Sequence, residues 1–335
     1  MTGTTRIYTD VDYEKDGKQV GWLYLPYSVT RSAYGNIAIP IAVFKNGTGP
    51  GVLLMAGNHG DEYEGQVGLC KLVRSLDPGR IRGRIVVLPA VNLPAALAGA
   101  RVSPLDIVNF NRAFPGDPNG TPTYAIAHYV DSVLFPMVGF FLDLHSGGSS
   151  LDYLPFVSMR VSGDAGLDKR TLAALEAFGA PLGMVWGYLL DTGFSETAAH
   201  GHGLVTLGGE FGGGGSVSPA GLRIVERGIQ NFLVHAGCLP PDAATPVRQP
   251  TRLVEVPSRS YFALAPDAGL FEPLVELGAD VRAGQACGQV HFVDDPARPP
   301  VPVSFAAAGT VVSQRHFGRV ERGDCVAHLA TDYKG

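Results

Sequence analysis

Two short segments of the sequence place histidine and glutamate at spacings that suit a metal site. The segment Gly57–Gly65 reads GNHGDEYEG and contains His59 and Glu62 in an HxxE pattern. The segment Asp143–Gly148 reads DLHSGG and contains His145. Imidazole nitrogens and carboxylate oxygens bind zinc at about 2.0–2.2 Å when they converge on one point. Two histidines and one glutamate leave the fourth zinc position to water, which is typical of a catalytic site.

A third segment, Thr206–Gly215, offers a carboxylate that the metal does not need as a ligand. It reads TLGGEFGGGG and contains Glu210 in a glycine-rich turn. Water in the open zinc position needs a nearby base that takes its proton and delivers it to the leaving amine. Glu210 fits this role. Each motif alone is a weak signal, since a histidine at a strand end is more often a structural residue, and the prediction depends on all three.

The segment Ala100–Asp117 carries side chains that could bind a substrate carboxylate. Arg101, Asn111 and Arg112 lie there, in a stretch with weak helix and strand signals. The planar guanidinium group of arginine can bind both oxygens of a carboxylate at once. A solvated loop would explain a single arginine, but the adjacent Asn111 and Arg112 favour a carboxylate clamp.

The segments around these residues alternate between strand and helix patterns. Continuous apolar runs at Gly51–Gly57, Arg84–Val91 and Phe140–His145 are typical of strands buried on both faces. A helix pattern runs from about Asp61 to Leu76. Further short apolar runs lie at Leu154–Met159, Gly183–Trp186 and Leu204–Leu207. Further helix patterns lie near Thr123–Leu134, Leu167–Phe178 and Leu222–Ala236. This alternation predicts an α/β fold with a mixed, mostly parallel sheet flanked by helices, and the site at the carboxyl ends of its strands.

The two ends of the chain have a β-rich character. Residues 10–48 contain alternating apolar positions, and Cys238–Pro250 is a proline-rich linker followed by short strands and glycine turns. We therefore expect a catalytic α/β domain over residues 1–237, with a β-rich N-terminal segment. A smaller, all-β domain is expected over residues 251–335.

Composition excludes several classes of protein and partner. The 335 residues carry a net charge of −5 and no basic stripe, so nucleic acid is not an expected partner. The N-terminus lacks the pattern of a signal peptide, and no apolar run is long enough to cross a membrane. The four cysteines are far apart and form no CxxC pair, which indicates free thiols in a cytoplasmic protein. A small molecule is the expected partner, and a homo-oligomer is compatible with this composition.

Taken in chain order, the motifs GNHGDEYEG, NFNRAFPGD, DLHSGG and GGEFG resemble the aspartoacylase and succinylglutamate desuccinylase family. The resemblance runs from about residue 15 to the C-terminus and implies the zinc carboxypeptidase fold. It implies that His59, Glu62 and His145 bind zinc. It also implies that Glu210 acts as general base and acid.

The same resemblance assigns the substrate side of the site. It implies that Asn111 and Arg112 bind the substrate carboxylate. An upstream arginine of the family polarises the scissile carbonyl, and Arg101 is the nearest candidate, although its spacing to Asn111 is longer than in aspartoacylase.

The segments GNHGDEYEGQ, LPAVNLPA and RVSPLDIVNFNRAFPGDP are most similar to one branch of the family. That branch implies a zinc-dependent amidohydrolase of ectoine degradation, which releases acetate from N-alpha-acetyl-L-2,4-diaminobutyrate. The alternatives are a deacylase of another N-acyl amino acid, such as acetylaspartate or succinylglutamate, and a metallocarboxypeptidase. A non-catalytic binding protein is the alternative from another class.

The C-terminal segments GLFEPLVELGADVRAGQACGQV and AAAGTVV resemble the repeats of lipoyl and biotinyl carrier domains. Those domains carry a modified lysine between the two repeats, whereas His291–Gly309 contains no lysine. A carrier role is therefore not expected. The family resemblance implies instead that this domain narrows the mouth of the active site.

Two questions stay open at the level of the sequence. The group that recognises the ammonium of the substrate side chain could be Glu64, Asp191 or Glu196. His200 and His202, in the segment HGHG, are interpreted as loop residues rather than metal ligands.

Overall fold

The computed structural model describes residues 5–187, 193–247 and 249–335. Within these ranges the chain forms six α-helices and nineteen β-strands. The helices are α1 (Tyr63–Ser75), α2 (Leu93–Ala98), α3 (Pro122–Tyr129), α4 (Ala165–Phe178), α5 (Ser195–Gly201) and α6 (Pro219–His235). The strands are β1 (Tyr8–Thr9), β2 (Gly17–Pro26), β3 (Asn36–Asn46), β4 (Gly51–Ala56), β5 (Gly83–Leu88), β6 (Phe140–Leu144), β7 (Leu151–Tyr153), β8 (Phe156–Arg160), β9 (Leu182–Trp186), β10 (Val205–Glu210), β11 (Arg252–Glu255), β12 (Phe262–Leu264), β13 (Gly269–Pro273), β14 (Asp280–Val281), β15 (Ala286–His291), β16 (Val301–Ser304), β17 (Gly309–Arg315), β18 (Arg319–Val320) and β19 (Cys325–Asp332).

One large mixed sheet organises the molecule, in the order β1-β2-β3-β5-β4-β6-β10-β8-β9-β11-β19-β17-β14. Strands β5, β4, β6 and β10 are parallel neighbours. Strand β8 is antiparallel to β10 and parallel to β9. The predicted α/β fold with a mixed sheet flanked by helices is confirmed, and its centre is mostly parallel.

Both faces of strand β4 are buried, which explains why its run of apolar residues is continuous. Val52 and Leu54 face a core formed with α1, α4 and α6, whereas Leu53 and Met55 face the opposite core, formed with α3 and the N-terminal strands. All four side chains are fully buried. Because successive residues of a strand point to opposite faces, a strand covered on both sides requires apolar residues at every position.

The C-terminal strands continue the large sheet. Strand β11 lies parallel to β9 and antiparallel to β19. Strand β7, from the middle of the chain, pairs with β17. A second, four-stranded sheet in the order β16-β15-β13-β18 packs over a core that includes Phe271, Val290 and Phe305. The domain boundary expected near residues 237–251 stays a prediction.

None of the helices in the described ranges is both long and apolar enough to cross a membrane.

Candidate active site

Three parallel strands bring the predicted metal ligands and the predicted base to one edge of the sheet. His59 and Glu62 follow β4, His145 follows β6, and Glu210 ends β10. Backbone hydrogen bonds join the last two elements, since the His145 N–H donates to the Gly209 carbonyl at 3.0 Å. The carboxyl ends of neighbouring parallel strands lie together, which is where α/β folds form their sites.

Glycines allow the close approach between these elements. Gly57 has φ +68° at the end of β4, a left-handed conformation that favours glycine. In α1, a Cβ atom on Gly65 would lie 2.5 Å from the Cβ of Leu144 in β6. Helix α1 can therefore pack directly against β6, which brings Glu62 beside His145.

His59, Glu62 and His145 form a buried cluster whose ligand atoms lie within 4.8 Å of one another. Nδ1 of His59 lies 2.7 Å from Oε1 of Glu62, and Nδ1 of His145 lies 2.8 Å from its Oε2. The Glu62 carboxylate thus contacts the Nδ1 atoms of both imidazole rings, at one edge of the sheet.

The outer nitrogens of the two rings have other partners. Nε2 of His59 lies 3.1 Å from Oδ1 of Asn109, an oxygen that also accepts the N–H of Asn111. Nε2 of His145 lies 3.1 Å from Oδ2 of Asp143. An imidazole that donates from Nε2 keeps its lone pair on Nδ1, and such outer partners orient histidine ligands in metal sites.

The charges of the cluster fit a bound cation. Burial lowers the pKa of His59, which makes this ring neutral at pH 7 with one N–H. Its Nδ1 lone pair would then face a carboxylate oxygen, and the two acceptors repel unless a cation lies between them. Burial alone would lower the pKa of His145, but Asp143 and Glu62 raise it well above its usual value. A metal ion would displace the proton that this pKa reflects.

Glu210 lies beside this cluster. It lines the same cavity as His59, Glu62 and His145. Its Oε2 atom is buried and has no hydrogen-bond partner among the described residues. Burial and the nearby Glu62 raise the pKa of Glu210 well above its usual value. A carboxylate of this kind is suited to accept a proton and return it near neutral pH.

The arginine-containing loop contributes three more residues to the cavity. Arg101 is half-exposed, with Nη1 3.4 Å from Oε1 of Glu62. Oδ1 of Asn111 accepts the backbone N–H of Ser195, which leaves the amide nitrogen of Asn111 as a donor. The guanidinium carbon of Arg112 lies 4.0 Å from the centre of the Phe194 ring.

The cavity has a volume of about 260 Å³ and is lined by all seven predicted site residues. Their individual roles stay predictions. Other lining residues were missed by the sequence reasoning, and they belong mostly to strands that carry no polar motif. They include Ser146, Tyr153, Phe156, Ser158, Arg160, Trp186, Phe194, Phe262 and His328.

Arg160 is the charged residue among those missed. Its Nε atom donates to Oε2 of Glu196 at 2.6 Å, and its guanidinium carbon lies 4.0 Å from the centre of the Phe194 ring. It ends β8, as Glu210 ends β10, so a charge at the end of a buried strand was the signal that could have identified it.

The candidates for ammonium recognition have different surroundings. Glu64 accepts hydrogen bonds from Ser146 and Ser218 at 2.5 and 2.8 Å and does not line the cavity. Glu196 lines the cavity but is paired with Arg160. Asp191 lies outside the described residues.

His200 and His202 lie apart from the metal cluster. His200 is in the last turn of α5 rather than in a loop, and His202 follows this helix and pairs with Asp131. Neither lines the cavity.

Comparisons with known proteins agree with the geometry. Residues 48–236 match the model of the succinylglutamate desuccinylase/aspartoacylase catalytic domain. The chain is 41% identical to the N-alpha-acetyl-L-2,4-diaminobutyric acid deacetylase of Halomonas elongata, over 97% of this chain and 94% of that protein.

Two solved structures are similar over nearly their whole length. One is a succinylglutamate desuccinylase/aspartoacylase from Rhodobacter sphaeroides, with a TM-score of 0.94 and 42% identity over 99% of this chain and 100% of that one. The other is the product-bound ectoine utilization protein EutE of Ruegeria pomeroyi, with a TM-score of 0.94 and 38% identity over 98% and 99% of the two chains.

Proposed function

The chain belongs to the succinylglutamate desuccinylase/aspartoacylase family, and we propose that it is a zinc-dependent deacetylase acting on N-alpha-acetyl-L-2,4-diaminobutyrate. The products are acetate and L-2,4-diaminobutyrate. The observation that carries this proposal is the convergence of His59 and His145 on the Glu62 carboxylate, beside Glu210. The near full-length similarity to the Halomonas elongata deacetylase supports the choice of substrate.

His59, Glu62 and His145 are the residues that would hold the zinc ion. Their donor set, two nitrogens and one carboxylate, is that of catalytic zinc sites. When bound, zinc supplies a Lewis acid that polarises the acyl carbonyl and makes water more acidic. Asn109 and Asp143 hold the outer nitrogens of the two rings and keep Nδ1 turned inward.

Glu210 moves the proton in this reaction. Its Oε2 atom takes a proton from the attacking water and returns it to the amine as the amide bond breaks. Oε2 is buried without a hydrogen-bond partner among the described residues, which supports this role because such an oxygen still needs a donor, as the attacking water would be. Arg101 lines the same cavity and stabilises negative charge on the acyl oxygen in this proposal.

Asn111 and Arg112 hold the alpha-carboxylate of the substrate. The Asn111 amide nitrogen is available as a donor because Ser195 occupies its oxygen. The Phe194 ring beside the Arg112 guanidinium supports its planar group. Fixing the carboxylate determines which amide bond meets the metal site.

The C-terminal residues favour a small substrate over a peptide. Phe262 of β12 and His328 of β19 line the cavity together with residues that precede the proline-rich linker. A cavity of about 260 Å³ suits a single acylated amino acid. This supports the interpretation that residues 251–335 narrow the active-site mouth.

A substrate panel tests the proposal. Acetate or amine release by the zinc-reconstituted protein is compared for N-alpha-acetyl-L-2,4-diaminobutyrate, N-acetylaspartate, succinylglutamate and a dipeptide. We expect kcat/KM to be highest for the first compound, by at least tenfold. A preference for any other member of the panel would replace the proposed substrate, and no turnover of any member would remove the proposed activity.

A further inference from the structure

We propose that His328 and the aromatic rings around it form a subsite for the ammonium group of the substrate side chain. His328 is then a specificity-determining residue, supplied by the C-terminal part of the chain. This inference rests on the proposed function, since it assigns a contact to the diamino acid named there.

His328 lies inside a stack of aromatic rings. Its ring centre is 4.4 Å from that of Phe262, with 6° between the planes, and 5.8 Å from that of Trp186, with 11° between the planes. Tyr153 approaches at 6.4 Å with its ring nearly perpendicular. These four residues all line the cavity.

Strand register explains how these rings meet. Phe262 lies opposite His328 on β12, and Ser313 lies opposite His328 on β17. Tyr153 in turn lies opposite Ser313. Because directly opposite residues of a sheet share one face, the row from Tyr153 to Phe262 presents a continuous surface.

The ring nitrogens of His328 have no hydrogen-bond partner in the part of the chain that the structure describes. The residue is 1% exposed, and neither ring nitrogen forms a hydrogen bond to any described residue. Leaving buried polar atoms unpaired destabilises a fold, so a purely structural role in this stack would be better served by phenylalanine. The imidazole edge therefore indicates a polar ligand.

The charges of the cavity limit what that ligand can be. Among its described residues, Glu62 belongs to the metal cluster, Glu210 is the proposed base, and Glu196 is paired with Arg160. Among the described residues that line the cavity, two have buried side-chain nitrogen or oxygen atoms without a hydrogen-bond partner. These atoms are Oε2 of Glu210 and the two ring nitrogens of His328. A substrate ammonium needs an acceptor, and these nitrogens include one.

The chemistry of the stack suits a cation. Burial lowers the pKa of His328 to about 3, so the ring is neutral at pH 7 and keeps one nitrogen lone pair. An ammonium N–H can donate to that lone pair. The His328 nitrogens are buried among these rings, and a hydrogen bond from an ammonium group is stronger where water is excluded.

The test compares two substrates that differ in one group. N-alpha-acetyl-L-2-aminobutyrate has the skeleton of N-alpha-acetyl-L-2,4-diaminobutyrate but no side-chain ammonium. The variant His328→Phe keeps an aromatic ring between Phe262 and Trp186 and removes both nitrogens. We expect kcat/KM to fall at least tenfold for the diamino substrate, mainly through KM, and to change less than twofold for the analogue.

Two further variants complete the design. His328→Leu removes the nitrogens with a different shape, and the same selective loss is expected if His328→Phe folds poorly. Thr310→Val changes a buried polar residue of β17 that lies outside this row and does not line the cavity, and it should leave the ratio of the two kcat/KM values unchanged.

The outcomes separate this inference from the proposed function. Equal losses on both substrates would show that His328 only supports the packing, and no loss on either would place ammonium recognition elsewhere. Equal turnover of both substrates by the unaltered enzyme would also overturn the inference. Hydrolysis of neither compound by the unaltered enzyme would instead remove the proposed function, and this inference with it.

Discussion

Nε2 of His145 lies 3.1 Å from Oδ2 of Asp143, a carboxylate that is fully closed to solvent. The same oxygen accepts hydrogen bonds from Asn58 at 3.0 Å and from the Ser195 hydroxyl at 2.6 Å. Asp143 therefore connects a proposed metal ligand with the turn after β4 and with the start of α5. This buried oxygen and the Glu62 carboxylate hold the two nitrogens of the His145 ring from opposite sides.

We predict that Asp143→Asn weakens zinc binding by roughly ten- to a hundredfold, because outer partners of histidine ligands typically have effects of this size. The neutral amide accepts the His145 N–H less strongly and leaves the ring less basic. Zinc affinity is measured by competition with a chelator. Ser195→Ala, which removes another donor to the same oxygen, should weaken zinc binding less. An unchanged affinity in Asp143→Asn would mean that Asp143 does not support the metal site.

We predict that Glu210→Gln keeps zinc bound and lowers kcat by roughly a hundredfold or more. Glutamine has nearly the same size but cannot accept a proton from water. Zinc content and kcat are measured on the same preparation, so that loss of metal and loss of the base are told apart. Near-normal turnover would exclude Glu210 as the base. Glu64 would be a poor replacement, because Ser146 and Ser218 occupy its oxygens.

We predict that Arg112→Lys raises KM strongly and that Arg112→Ala costs roughly a hundredfold in kcat/KM. Lysine keeps the charge but loses both the planar fork and the contact with Phe194. The matching substrate is an N-acetylated diamine without the carboxylate. It should react poorly with the unaltered enzyme and lose little more with Arg112→Ala, because one interaction cannot be removed twice. Additive losses would show that Arg112 does not contact the carboxylate.

We predict that His328 makes the fold less stable in acid. Its pKa is about 3 in the folded chain and about 6.5 when unfolded, so protonation favours the unfolded state. The stability is intact above about pH 6.5 and is lost as the pH falls towards 3. Between pH 7 and pH 5 this single group lowers the free energy of unfolding by about 2 kcal/mol. Urea titrations of the zinc-free protein at both pH values should show a drop smaller by about that amount in His328→Phe. An identical drop in both proteins would contradict the buried, neutral state of His328.

The part of the fold that was predictable rests on local sequence signals. The apolar runs of β4, β5 and β6 are each continuous in the chain, and the motifs after β4 and β6 begin within a few residues of their own strand. The resemblance to a known family adds roles to those same motifs. Helix α5 was not predicted, since its seven residues are too few to show the helical repeat of apolar positions. The short helix α2 was not predicted for the same reason.

The stack of aromatic rings around His328 could not be predicted because it exists only after folding. Trp186, Phe262 and His328 come from β9, β12 and β19, and each looks like an ordinary strand residue in its own segment. Strand pairing over long sequence separations brings them together. Nothing in a local pattern indicates which buried histidine will lack a hydrogen-bond partner.

A zinc titration tests the central claim most directly. The protein is freed of metal with a chelator, and acetate release from N-alpha-acetyl-L-2,4-diaminobutyrate is measured as zinc is added back. If His59, Glu62 and His145 form the zinc site, the unaltered protein has no activity without metal and full activity at one zinc per chain. His59→Ala stays inactive at every zinc concentration. His202→Ala, which changes a residue outside the cavity, behaves like the unaltered enzyme. Full activity in the metal-free protein, or one zinc per chain retained by His59→Ala, would contradict the account.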